Sequence, residues 1–338
     1  MRPWIRSGLA ASLGMLLLTT VAVAERKSGR EDAARSRTFR LDYGATLHEL
    51  PAGARVRVWL PVPPSSDHQA VTALESHLPA EGTTASEPRY GNQIMYFEST
   101  GPASGDLAFS TAYMVQRREV RGLAGGDRAT KLTDRQRRLF LSANKRVPLD
   151  GRPRVLLEGV RFPTEPLAIA RTLYDRVDDH VRYDKSQAGY GNGDVLWVCD
   201  SRFGNCTDFH SLFISWARVK SLPARFEIGF PLPSERGKGV IGGYHCWAMF
   251  HIERQGWVPV DISEADKHPE MKHYYFGNLT ENRVTFTTGR DIDLVPPQDG
   301  EPLNFFVYPY VEVNGRAWPK DRIELSFAYA DLDGGKAP

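Results

Sequence analysis

A run of apolar residues at helical spacing constrains this chain more than any other feature. Phe209, Leu212, Phe213, Trp216 and Ala217 recur at i, i+3, i+4, i+7 and i+8, the repeat of a helix with one buried face. Thr207 and Asp208 suit the first turn of that helix. Cys206, in Gly204-Asn205-Cys206, is therefore expected at the helix N-terminus. Unpaired backbone N–H groups and the helix dipole favour negative charge there, which pushes a thiol toward thiolate, its nucleophilic form. Gly204 would let a substrate backbone approach closely.

A nucleophile needs a base and a group to orient that base. His245 follows in Gly243-Tyr244-His245-Cys246-Trp247-Ala248-Met249-Phe250-His251-Ile252, and Asp261 in Gly256-Trp257-Val258-Pro259-Val260-Asp261. Both runs are short, aromatic and β-branched. They are separated by Glu253-Arg254-Gln255-Gly256, a turn composition, so they read as two antiparallel strands. Such a pair sets an imidazole beside a carboxylate, and the helix need only bring its N-terminus against them. Glu264 and Asp266 are alternative orienters. His210 and His251 read as structural histidines, His251 lying on the same strand face as His245. Trp197, through its indole, and Tyr183, through its phenol, are candidates to join the Cys206 backbone N–H as oxyanion donors. A Cys that begins an apolar helix is commonly a small buried hydrophobe. The His and Asp motifs, in order behind it, favour the nucleophile instead.

These motifs resemble the transglutaminase-like superfamily. Gly-Asn-Cys precedes a helix, Leu222-Pro223-Ala224-Arg225 enters a strand, and His245-Cys246-Trp247 and Trp257-Val258-Pro259-Val260-Asp261 follow. The likeness is to the exported bacterial branch often called transglutaminase-like cysteine peptidases, and it runs from about Phe162 to Asp293. It implies an α+β, papain-like core in which the nucleophile helix packs on an antiparallel sheet. It also implies a Cys-His-Asp triad at Cys206, His245 and Asp261. The family's Gly-Ile-Pro-Ala-Arg is Ser221-Leu222-Pro223-Ala224-Arg225 here. The Trp that follows the nucleophile in animal transglutaminases is Thr207, a change that bears on transglutaminase specificity and not on the thiol chemistry. Exported chains tend to pair their cysteines, and three leave one over. A Cys199–Cys246 bridge would spare Cys206 and, with Cys246 facing away from His245 along a strand, brace the site from behind. His-Cys-Trp also occurs in relatives of reducing compartments, where that Cys need not pair, so both states stay open.

Residues 1–24 read as a cleaved targeting segment. Arg2 and Arg6 precede an uncharged run from Ser7 to Ala24, centred on Leu16-Leu17-Leu18 and ending Ala22-Val23-Ala24, a signal-peptide pattern. A periplasmic or secreted protein with no membrane span after cleavage follows. Cleavage takes the formal net charge from +2 to zero, which argues against a nucleic-acid partner. Residues 25–36 read as a disordered N-terminus and 37–120 as a β-sandwich accessory domain. Its strands lie around residues 38–43, 55–60, 93–97 and 107–115, with Gly and Pro turns between them. Residues 121–160 form a basic helical connector, within a run from Arg117 to Arg146 that reads as solvated charge and includes a short helix from Thr133 to Lys145. Residues 161–330 make the catalytic domain. It includes a helix from Thr164 to about His180 capped by Thr164, and a Gly-rich loop from Gln187 to Asp194 suited to one wall of the cleft. Strands at 283–294, 304–313 and 322–329 are expected to complete the core sheet, and 331–338 to form a frayed tail.

The expected chemistry is acyl transfer through a thioester on an amide or peptide bond, with a peptide or protein substrate, cell-wall peptide among the candidates. Water as acceptor makes the enzyme a peptidase or amidase, and an amine makes it a transglutaminase. No metal or organic cofactor is implied. Two other readings remain: an inactive binding scaffold, and a zinc site of Cys199, Cys206, His245 and Cys246. The second has unsuitable spacing, since structural zinc ligands usually lie two to four residues apart.

Overall fold

The computed structural model describes residues 33–124 and 131–332. The targeting segment, the residues around Gly126 and the end of the tail lie outside the described residues. Ala34–Pro338 form one compact unit.

The helix read from the apolar repeat spans Cys206–Val219 and is the central helix of the fold. Phe209, Leu212, Phe213, Trp216 and Ala217 are all buried. It packs on a four-stranded antiparallel sheet whose order is Gly256–Val260, His245–Ile252, Ala224–Pro231, Arg283–Thr288. Alternation along His245–Ile252 gives that strand two faces. Cys246, Ala248 and Phe250 join the main core beneath the central helix, while Trp247 and Met249 form a second cluster with Val120 and Leu279 on the other side. The turn between the two motif strands falls at 253–255, with Arg254 in the left-handed region (φ 77°).

A flanking helix, Pro166–His180, buries Ala170, Leu173, Tyr174 and Val177. Its N-cap is Glu165 without a side-chain hydrogen bond, so the cap expected at Thr164 lies one residue too early. Pro166 sets the boundary, because proline fixes a helical φ at the first position and has no N–H to lose. The short basic helix is Asp134–Leu141, held by a capping box between Thr133 and Gln136.

The expected N-terminal strands all form, but they do not pair only among themselves. Ser36–Leu47 is the middle strand of a sheet ordered Lys238–Val240, Ile323–Asp331, Ser36–Leu47, Leu107–Arg118, Gln69–His77. Arg55–Val62 is the middle of a second, ordered Arg316–Ala317, Tyr310–Val313, Arg55–Val62, Gln93–Thr100, Thr83–Ser86. The expectation that strands near 304–313 and 322–329 complete the core sheet is therefore corrected: of the three C-terminal strands only Arg283–Thr288 does so. Strand pairing is non-local, and composition does not specify which edge a strand will join. The two five-stranded sheets meet where Phe97 packs edge-on to Phe109 at 5.4 Å. The first continues into the core of the four-stranded sheet through Tyr43, Phe230, Phe286 and Phe327.

Arg283–Thr288 is the edge of the four-stranded sheet, and two side chains close it. The Gln69 carboxamide accepts from Thr285 N (2.8 Å) and donates to Thr285 O (3.0 Å). Asn92 does the same for Thr288, at 2.7 and 2.8 Å. Each carboxamide stands in for a peptide group, which removes an exposed edge.

Candidate active site

Asn205 caps the central helix, its side-chain oxygen accepting from Thr207 N at 2.8 Å. The Asp208 carboxylate returns the favour by accepting from Asn205 N at 2.9 Å, a reciprocal capping box. The same carboxylate also accepts from Gly191 N (2.7 Å) and Gly193 N (2.9 Å). The Gly-rich loop is thus tied directly to the helix N-terminus. Burial pushes the Asp208 carboxyl up, and these backbone N–H groups oppose it. Arg290, fully buried, holds the loop from behind through Asn192 O (2.8 Å) and Gly193 O (3.0 Å). The cap itself requires glycine at Gly204, because a Cβ there would collide with the Asp208 carboxylate.

Cys206 is the first residue of this helix and is 3% exposed. His245 opens its strand, and Asp261 follows the next strand and caps the short Ile262–Lys267 helix. The structure brings the three together. His245 Nε2 lies 2.8 Å from Asp261 Oδ2, which leaves Nδ1 for the thiol. Asp261 is wholly buried. Its Oδ2 also accepts from Arg283 Nη1 at 2.9 Å, and its Oδ1 from Glu264 N at 3.2 Å and Ser263 Oγ at 3.3 Å.

The electrostatics follow from this geometry. Burial alone would push the Cys206 thiol up. Hydrogen bonds from Cys246 and His245 and the charge of His245 overcome it, holding the thiol well below its ordinary 9.0. Burial would likewise favour neutral His245, but the Asp261 charge and hydrogen bond, with Cys206, raise it to about 10. Asp261, against the pull of burial, is held far below the usual carboxylate range by His245 and Arg283. Both shifts favour the thiolate–imidazolium form of the pair.

Glu264 stands 3.9 Å from His245 Nε2, and Asp266 instead accepts from Tyr183 N at 3.0 Å. Asp261 is therefore the carboxylate in hydrogen-bond contact with the imidazole. Tyr183 packs on Phe209 at 6.3 Å under Lys267, and Cys206 is among the charges that raise its hydroxyl. Trp197 lies edge-on to Phe203 at 5.2 Å, with its indole nitrogen against Gly189.

The Cys199–Cys246 bridge is not formed, and all three cysteines are free. Cys199 sits on the Val195–Ser201 helix, where burial pushes its thiol up to about 12. Cys246 does face away from Trp247 and Met249, but that direction is toward the helix. Its Sγ is 3.8 Å from Thr207 Oγ1 and 3.7 Å from His210 Nδ1. Rather than bracing the site from behind, it belongs to its floor. Of the four residues of the zinc reading, Cys199 lies apart on its own helix, and no group of three or more side chains able to hold a metal ion occurs among the described residues.

His210 is buried with its Nε2 accepting from Ile262 N at 3.0 Å, so the neutral ring carries its proton on Nδ1. Burial lowers it to about 4. His251, at the far end of the strand, packs on Trp257 at 5.3 Å. Three contributors escaped the motif search: Arg283, Arg290 and Tyr244. The Tyr244 hydroxyl joins Thr207 Oγ1 (2.8 Å) and Asn205 Nδ2 (3.1 Å). A trace existed for Arg283, a lone charge opening the β-branched run Val284-Thr285-Phe286-Thr287-Thr288.

Residues 154–262 match the model of the transglutaminase-like superfamily, and all three clustered residues fall inside the matched stretch. An uncharacterised Haemophilus influenzae protein is 28% identical over 313 residues, spanning 79% of this chain and 83% of the relative. A crystal structure from Cytophaga hutchinsonii, of a candidate cysteine protease, superposes with a TM-score of 0.58 at 16% identity, over 90% of this chain and 93% of that one. That likeness is one of fold. The periplasmic domain of TgpA from Pseudomonas aeruginosa, bound to ethylmercury, aligns over 71% of this chain and 94% of that one at 17% identity. Its TM-score of 0.36 is too low to bear on the fold.

Proposed function

We propose that this protein is an exported thiol enzyme that cleaves or transfers amide or peptide bonds through a thioester on Cys206. One observation carries the reading: a thiol at a helix N-terminus is grouped with an imidazole whose Nε2 is 2.8 Å from a fully buried carboxylate. Those are the parts of nucleophilic acyl transfer.

In the reaction, the Cys206 thiolate attacks the carbonyl carbon and the C–S bond forms. Charge moves to the carbonyl oxygen, where the Cys206 backbone N–H receives it and the Tyr183 hydroxyl is the side-chain candidate. Imidazolium His245 gives its Nδ1 proton to the leaving nitrogen, the C–N bond breaks, and an amine departs. Neutral His245 then takes a proton from water or from an acceptor amine as it attacks the thioester. The C–S bond breaks and the thiolate returns. Asp261 keeps the imidazole in one orientation and stabilises its charged form throughout. Water yields an acid and an amine yields a new amide; the triad chemistry is common to both, and peptides such as those of cell walls are the substrates we favour.

Export is supported by the Arg2 and Arg6 residues ahead of the apolar run and by Ala22-Val23-Ala24. No helix among the described residues is long and apolar enough to cross a membrane. A mature N-terminus at Glu25, read by mass spectrometry of protein recovered outside the cytoplasm, is the expected result; an uncleaved chain retained inside would remove that part of the reading.

The chemistry is tested by intact mass after iodoacetamide treatment near neutral pH. We expect one fast adduct on the wild type, none at that site in Cys206→Ala, and slowed labelling in His245→Ala. Equal rates in wild type and His245→Ala would leave Cys206 an inert buried thiol and favour a binding scaffold. Profiling with peptide amides, with and without added amines, separates hydrolysis from transfer.

A further inference from the structure

On the side of the four-stranded sheet that faces away from the central helix lies a cavity of about 440 Å³. Small-molecule sites fall in the range of roughly 300–1,000 Å³. Arg117, Glu227 and Thr285 supply its inner polar wall, and Met249 and Trp257 an apolar one; exposed Asp67 and Lys131 stand at its mouth.

Arg117 makes this cavity unusual. It belongs by sequence to the basic run expected to be solvated, yet it is 3% exposed. Among the described residues its one side-chain hydrogen bond is from Nη1 to Thr285 Oγ1, at 3.4 Å. Its Nε is buried and finds no partner among the described residues. The carboxylate whose charge reaches it, Glu227, is already engaged. Glu227 Oε1 accepts from Arg225 Nε and Nη2 at 2.9 and 2.6 Å, and Oε2 from Trp247 Nε1 at 2.9 Å. The neighbouring Arg283 gives its charge to Asp261 and repels Arg117. A guanidinium stays protonated at neutral pH, so Arg117 is a buried cation with no carboxylate in salt-bridge contact among the described residues. Buried charges are ordinarily paired.

We propose that the cavity binds an organic carboxylate, its anionic group on Arg117 and its apolar body against Met249 and Trp257. The volume far exceeds what a bare inorganic ion needs, since a water occupies about 30 Å³. The Trp257 ring is already held in place by Arg225, 4.2 Å above it, and by Phe140 edge-on at 4.9 Å. It therefore offers a fixed aromatic wall. The fork of a guanidinium matches a carboxylate with two parallel hydrogen bonds. The site is distinct from the Cys206 thiol, which stands at the N-terminus of the central helix, on the other side of the His245–Ile252 strand.

The test is calorimetric titration of the full chain, with Cys206 first alkylated so that only the rear cavity is read. Phenylacetate is expected to bind and to quench tryptophan fluorescence. Its neutral isostere phenylacetamide and inorganic phosphate should each bind at least 10-fold more weakly, and Arg117→Met should weaken phenylacetate at least 10-fold. N-acetylphenylalanine separates two sources of the same chemistry. Tighter binding than phenylacetate assigns the site to a peptide carboxyl terminus, and weaker binding to a free organic acid. Equal affinity for phenylacetate and phenylacetamide on the wild type overturns the proposal, and this comparison needs no variant to fold. Phosphate binding as tightly as phenylacetate, no phenylacetate binding, or full binding by Arg117→Met overturns it too.

Discussion

Around Asp261 the buried charges close on one another: imidazolium at 2.8 Å, guanidinium at 2.9 Å, and backbone and hydroxyl donors on the other oxygen. Around Arg117, on the rear side of the same sheet, a guanidinium of equal burial meets one hydroxyl at 3.4 Å. The two regions share the Trp247 and Glu227 neighbourhood and differ in whether the described residues supply a counter-charge in direct contact. A buried pair is expensive to break, because removing one partner strands the other. An unpaired buried charge instead invites removal or an external ligand. The first arrangement suits a group that must hold one protonation state, and the second a place left for something to bind.

The hardest blow to the closed region is Asp261→Asn. It removes the charge that favours imidazolium and leaves Arg283 buried without its carboxylate. Turnover should fall by about 10⁴-fold, the scale seen when a triad carboxylate becomes an amide; steady-state kinetics on a peptide amide would read it. An unchanged rate would mean that Asp261 does not orient His245.

Next come two substitutions of like chemistry and opposite expected outcome. Arg283→Met should cost about 3–5 kcal/mol in urea denaturation, the usual penalty for breaking a buried pair. Arg117→Met should be neutral or stabilising, since it replaces an uncompensated buried charge with apolar volume. If both destabilise alike, Arg117 has a counter-charge in the folded protein and the contrast between the regions collapses.

The pH dependence sharpens the closed side. His245 is raised from 6.5 to about 10. Its contribution to stability is complete below its unfolded value and lost as pH rises through about 10. Asp261 is depressed from its ordinary 3.8, so its contribution is present above that value and lost as pH falls below it. Denaturation followed across pH should show a plateau from about 3.8 to 6.5, then a progressive loss from 6.5 up to about 10 that His245→Gln lacks. A wild type equally stable at pH 6.5 and pH 10 would contradict the charged imidazole.

The smallest expected effect is at the cap. Asn205→Ala should cost about 1 kcal/mol through the lost helix cap, and iodoacetamide labelling of Cys206 should slow as the helix end loosens. Loss of stability without slower labelling would separate the cap from the thiol.

Much of the closed region was legible in the sequence because its signals are local. The central helix announces itself by apolar spacing over a dozen residues, and the hairpin carrying His245 and Asp261 by two short runs and a turn. Arg283 and Arg117 were not legible. Their partners lie 22 and 168 residues away, and a lone Arg in a strand or a basic run carries no mark of burial. Cys246 misled for a related reason. Alternation gave its direction relative to Trp247, but which face would receive the helix is decided by packing. The C-terminal strands failed in the same way, as residues 304–313 and 322–329 read as strands without showing which sheets they would join.

That last pairing sets a timetable for the chain. Ser36–Leu47 lies between Leu107–Arg118 and Ile323–Asp331, so one flank of an early strand waits for a segment made nearly three hundred residues later. Such long-range closure is slow and leaves a strand edge open in the meantime. As the ribosome delivers the protein, the stretch that becomes the central helix and its sheet is complete before the first strand finds its second neighbour. The N-terminal third must pass through synthesis as an unfinished surface, guarded until the last long strand arrives.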